Sequence, residues 1–214
     1  MYGAASLLLF ALLSPPAVVE PLAAVRASAQ EADVDALRTI ADGPRTGAGG
    51  FAQAVLVPLL HARGEADEAA QRARLAGFLT RWQVIGPLPG GARALDGPQT
   101  ARDDWRVGAT AEGYAGRGHA VRWHGVGDAA RYGRLDLDAV SHHADGGVLL
   151  AAAIFGLEIG ETVAIRVTSA ASWRLWLDGE RVDAGPGRPS LRGADAVLAT
   201  LRPGPHRLLV ETHG

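Results

Sequence analysis

Residues 173–182 read Trp173-Arg174-Leu175-Trp176-Leu177-Asp178-Gly179-Glu180-Arg181-Val182. Trp173, Leu175 and Leu177 recur at period two, which places them on one face of a β-strand. Asp178-Gly179 is a dipeptide that accepts positive φ at both central positions of a type I′ turn, so the chain is expected to return as a second strand from Glu180. A strand with a single apolar face needs another sheet to cover it. The fold class predicted from this hairpin is mainly β, an antiparallel β-sandwich.

The same grammar extends on both sides. Val163, Ile165 and Val167 face one way and Ala164, Arg166 and Thr168 the other; Val197, Ala199 and Leu201 form a further inward set. Pro203-Gly204 turns the chain before Leu208 and Val210. Residues 148–155 are a nearly unbroken apolar run, expected to be a central strand covered on both sides. Leu135-Asp136-Leu137-Asp138 and residues 120–124 alternate too. Residues 82–85 read as a strand ending at a Gly86-Pro87 turn. The polar, glycine-rich stretch 92–118 is expected to be long surface loops holding one or two short strands, with Trp105 and Tyr114 as anchors. No long helix is available for parallel crossovers.

Ahead of the strands the pattern is helical. Val34, Leu37, Ile40 and Ala41 lie on one face, and Gly43-Pro44 stops the run. Residues 51–61 predict a short helix kinked or interrupted at Pro58. Residues 65–79 predict the best helix, with Ala69, Ala73, Ala76 and Leu79 as a narrow apolar stripe. Such helices bury little alone and read as a fragment of a helical-repeat region or a cap. Earlier still, residues 3–19 are apolar, densest from Leu7 to Leu13, and Ala27-Ser28-Ala29 before Gln30 fits a signal-peptidase site. No positive charge precedes the apolar run, which is also too short for a span of roughly 20 residues. The expected organisation is a signal peptide at 1–29, a short helical segment at 30–79 and the β-sandwich at 80–214. The expected location is periplasmic, outer-surface or extracellular, with no stable membrane span after cleavage. The sequence stops at Gly214 directly after a strand: either the domain closes there or the chain is a piece of something longer.

Composition narrows the function. The 214 residues are 48% hydrophobic, with 28 glycines and 12 prolines, enough for one full core and many turns. All 21 basic residues are arginine, yet the net charge is -2 and no basic run occurs, so nucleic acid is not an expected partner. The absence of cysteine removes disulfides, thiolate catalysis and Cys-ligated zinc. No nucleophile elbow, zinc-protease or phosphate-loop motif is present. Gly125-Val126-Gly127 is followed by Asp128, which breaks the dinucleotide pattern.

Residues 82–88, reading Trp-Gln-Val-Ile-Gly-Pro-Leu, the hairpin at 173–182 and the close at 201–210, reading Leu-Arg-Pro-Gly-Pro-His-Arg-Leu-Leu-Val, together and in this order resemble a bacterial exported jelly-roll module related to galactose-binding-like and PA14-like domains. Trp82-Gln83-Val84-Ile85-Gly86-Pro87-Leu88 is similar to its opening "W-x-V-I-G-P-F", and Arg122-Trp123 to its "V-x-W" strand. Tyr132-Gly133-Arg134-Leu135-Asp136-Leu137 is similar to "G-x-x-D-L", and residues 173–182 to the "V-x-V-W-L-N-G-x-x-V" hairpin. Leu201-Arg202-Pro203-Gly204-Pro205-His206-Arg207-Leu208-Leu209-Val210 resembles the closing "L-K-P-G-x-N-R-L-L-V". The resemblance covers roughly residues 80 to 212. It implies jelly-roll topology and a place in multidomain exported proteins, beside tetratricopeptide-type helices or glycosidase domains. The family's polar "G-S-D-D-G" stretch is Thr168-Ser169-Ala170-Ala171-Ser172 here, without carboxylates to hold calcium.

The candidate site residues are few. Trp176 is out of phase with the core set, beside Arg174, and an exposed ring there would be a sugar platform together with Arg174 and Arg166. Burial of Trp176 under the 31–79 helices would instead favour a scaffold. His142, His143 and Asp145 form a metal alternative, weighed against plain surface turn residues. His206, beside a proline in a turn, is expected to be solvent-exposed. Asp136 and Asp138 fall on one strand face roughly 7 Å apart, inside the inverting-glycosidase range, but their alternating setting reads as a polar outer face. Trp82, Trp123 and Trp173 are expected in the core. The function expected is a non-catalytic interaction or architectural module, without cofactor, whose partner is a glycan or another exported protein or domain. The alternatives are a carbohydrate-binding module, and then a hydrolase with a site assembled from distant loops.

Overall fold

The computed structural model describes residues 6–13, 20–43, 47–89, 96–107, 112–127, 132, 134–137, 147–169, 171–185 and 195–213. Strands make up 42% and helices 35%, so the protein is mainly β but carries far more helix than a short leading segment.

In chain order the elements are β1 (Ser6–Leu13), α1 (Glu20–Glu31), α2 (Val34–Ala41), α3 (Gly47–Ala62), α4 (Ala66–Leu75), β2 (Gln83–Pro89), α5 (Asp96–Val107), β3 (Tyr114–Ala115), β4 (Ala120–Val121), β5 (His124–Gly125), β6 (Arg134–Asp136), β7 (Gly147–Leu157), β8 (Glu161–Thr168), β9 (Ser172–Leu177), β10 (Glu180–Gly185), β11 (Asp195–Leu201) and β12 (Gly204–His213).

The helices α1–α4 have a core of their own, in which Val25, Leu37, Phe51, Leu56, Leu60 and Ala73 are buried. α3 is apolar on nearly every side because it lies among the other three, and it runs through Pro58 without ending. Asp33 caps α2 by accepting the Ala36 N–H at 3.0 Å. α4 stops four residues before the predicted Leu79. Gly77, at φ 73°, donates to the Arg74 carbonyl and Phe78 donates to the Ala73 carbonyl, a Schellman ending. Arg38 on α2 pairs with Glu65 and Glu68, and Arg72 pairs with Glu68 and Asp42, lacing α2 to α4.

Among the described residues the strands form a six-stranded antiparallel sheet, ordered β10-β9-β12-β7-β2-β5, a four-stranded one, ordered β11-β8-β1-β6, and a separate β3-β4 pair. One core joins them. Val84, Leu149, Trp173, Leu175 and Val210 from the first sheet meet Val163, Ile165, Val167 and Leu201 from the second. This is the sandwich-like pairing that the alternating side chains require. Asp178 and Gly179 both have positive φ, 50° and 88°, as the predicted hairpin turn demands.

Two expectations are corrected. Gly86-Pro87 does not end its strand: β2 continues to Pro89 through a register shift between Ile85 and Leu88. At Gly86, φ is 138°, and a Cβ would sit 2.5 Å from Leu149 Cδ2 and 2.8 Å from the Val148 carbonyl oxygen, so only glycine fits. Residues 96–107 are helix α5 rather than surface loop. The apolar run of the N-terminus is strand β1, paired with β8 and β6, and α1 passes through Ala27-Ser28-Ala29. Among the described residues, no helix is long and apolar enough to cross a membrane.

Candidate functional site

The six-stranded sheet is apolar on both faces. Its outer face carries Ile85, Leu88, Val148, Leu150, Trp176 and Leu209, and α5 closes over it with Ala101 and Trp105. Ala101 and Trp105 stand four residues apart on α5, which gives the helix one apolar stripe. Polar contacts help to hold it. Tyr114 Oη donates to Asp104 at 2.9 Å, Arg207 donates to the Trp105 carbonyl at 3.1 Å, and the Arg102 guanidinium lies 4.9 Å from the Trp176 ring centroid.

Trp176 therefore points away from the shared core, as its phase predicted, but is only 8% exposed. Its cover is α5, not the 31–79 helices. Arg174 lies on the same face and donates to Glu211 at 2.8 Å. Arg166 occupies a β8 position in the other sheet, so the three residues do not converge. His142, His143, Asp145 and Asp138 lie outside the described residues. Among those described, no group of three or more metal-binding side chains occurs. Asp136 is half-buried at the end of β6. Trp82 and Trp173 are in the core, and Trp82 donates to the Leu79 carbonyl at 2.8 Å. Trp123 belongs to the outer layer instead, its ring centroid 5.2 Å from that of Trp105.

Glu211 is the charged hub of this layer. It is 2% exposed, with Arg174 at 2.8 Å, His213 at 2.5 Å and Arg102 at 3.4 Å. Burial pushes its carboxyl up, but the His213 hydrogen bond and the charges of His213, Arg174 and Arg102 outweigh this and hold it below the ordinary range. The sequence reading missed it. The available signal was its phase with Leu209 on β12, opposite Arg174 on β9.

Beside α5 an open groove of about 560 Å³ runs between the start of β2, β5 and β7. Arg81, Gln83 and the 56%-exposed Ile154 form its accessible wall, while Trp82 and Trp105 are buried behind it. Among the described residues its lining is Arg81, Gln83, two glycines and apolar side chains, groups that offer contact and hydrogen bonding. His206, expected at the surface, is buried against Asp178 and Phe155.

No family model, curated protein or solved structure matches this chain.

Proposed function

We propose that this chain is a non-catalytic interaction or architectural module of an exported protein, a jelly-roll sandwich of the galactose-binding-like and PA14-like kind carrying a helical unit. The observation that carries the reading is the cover over Trp176. The chain's own helix occupies the face on which a sugar would stack, the Arg102 guanidinium of that helix lies over the ring, and Arg174 on the same face is engaged by Glu211. A partner would meet the groove wall at Arg81, Gln83 and Ile154, a mixed polar and apolar surface suited to another protein or domain.

A glycan array probed with the full chain tests this, with Trp176→Phe and Ile154→Asp as variants. No saccharide is expected to be retained. Retention that is lost in Trp176→Phe, with the circular dichroism spectrum unchanged, would replace this reading with a carbohydrate-binding module in which α5 moves aside.

A further inference from the structure

We propose that His206 and Asp178 form a protonation-gated clamp between strand β12 and the β9–β10 turn. His206 Nδ1 lies 2.7 Å from Asp178 Oδ2, and its Nε2 lies 2.8 Å from the Arg202 carbonyl oxygen. A carboxylate and a carbonyl oxygen accept but do not donate. A neutral imidazole carries one N–H, so it would turn a lone pair toward one of these oxygens in a site only 7% exposed. The imidazolium donates to both.

The carboxylate is tied in turn to the strand it faces. Asp178 Oδ1 accepts the Arg207 N–H at 2.8 Å, and the Asp178 N–H donates to the Arg207 carbonyl at 2.8 Å. The clamp therefore spans a residue in the left-handed region, Asp178 at φ 50°, and the strand β12 behind it. From β7 the ring meets Phe155, uncharged, with centroids 5.5 Å apart; from the β11–β12 turn it meets the Arg202 carbonyl; from the hairpin it meets Asp178. Burial pushes the ring toward neutrality, while Asp178 and the Arg202 carbonyl favour the cation and prevail, raising it above 6.5. A raised folded value means that the clamp contributes fully below the unfolded value. Its contribution is lost as pH rises through the folded one. Gly179 and Arg207 also line the small cavity beside Trp176, so the clamp sets how firmly that rim is held.

The test is an NMR titration of the full chain that follows the His206 ring and the amide protection of Asp178 and Gly179, corrected for intrinsic exchange. His206 is expected to titrate above 6.5, with turn protection falling over the same midpoint. Asp178→Asn keeps an acceptor for Arg207 and a residue suited to the turn; it should lower the midpoint by about one unit, tenfold in proton affinity, and flatten the protection profile. His206→Gln should flatten it as well and serves if Asp178→Asn does not fold. A midpoint at or below 6.5, one unmoved by Asp178→Asn, or turn protection in the unaltered chain that ignores pH would overturn the proposal.

Discussion

At Glu211 a single carboxylate meets two arginines and the His213 ring beneath a helix, and its removal has a defined consequence. Glu211→Gln keeps the shape but leaves Arg102 and Arg174 beside an uncharged group, at an expected cost of about 1–3 kcal/mol. Because the folded carboxyl is held below its ordinary 4.5, its contribution is present above that value and lost as pH falls through the folded one. Denaturant midpoints measured from about pH 7 down to about pH 3 should therefore fall for the unaltered chain and change less for the variant. Equal midpoints throughout would show that the hub carries no stability. The alternation of β9 and β12 was readable, but the meeting of Arg174 and Glu211 depends on their register, Glu211 opposite Arg174, which no local pattern specifies. Trp176 is the same case: its phase told which face it takes, and only α5 decides whether that face meets water.

Two elements show how local strain and local charge are used. The Gly86 shift in β2 brings its backbone against β7, and Gly86→Ala would drive a methyl into the Val148 carbonyl of a paired strand. That backbone cannot yield cheaply, so a loss of about 2–3 kcal/mol is expected, read as a lower denaturant midpoint at unchanged slope. A variant as stable as the parent would refute the close approach. In the helical unit, hydrogen bonds from Arg38 and Arg72 hold the Glu68 carboxyl at about 2. Its contribution is present above 4.5 and fades as pH falls toward about 2. Glu68 is a third exposed, so the effect is expected to stay under about 1 kcal/mol. Acid titration followed by helix circular dichroism should show a shallower loss in Glu68→Gln than in the parent; identical curves would remove the network from the account. Helix α5 escaped the sequence reading because its stripe is only Ala101 and Trp105 within polar surroundings, and a narrow stripe becomes a helix signal only when a sheet waits beneath it.

For the whole molecule, the N-terminal residues have two uses that exclude each other in one chain. Cleavage after Ala29 would remove β1, which pairs with β8 from Val163 to Thr168, and would also take Val25 from the helical core. The export proposal predicts an intact mass beginning at Gln30 in the exported fraction, and a product that unfolds at a lower temperature than the full chain. An exported protein with the full mass would sink the cleavage proposal and leave β1 as a resident strand.

The sequence by itself determined most strands of the sandwich, though not β1, together with the Asp178-Gly179 hairpin and the apolar character of β7. Period-two alternation and positive-φ turn residues act over a few neighbours, so they are written where they act. Tertiary structure alone decided that Trp176 is covered, that His206 is buried with both ring nitrogens engaged, and that Arg166 and Arg174 lie on different sheets. Burial and partnership depend on segments far along the chain, and their outcome is settled only when those segments pack.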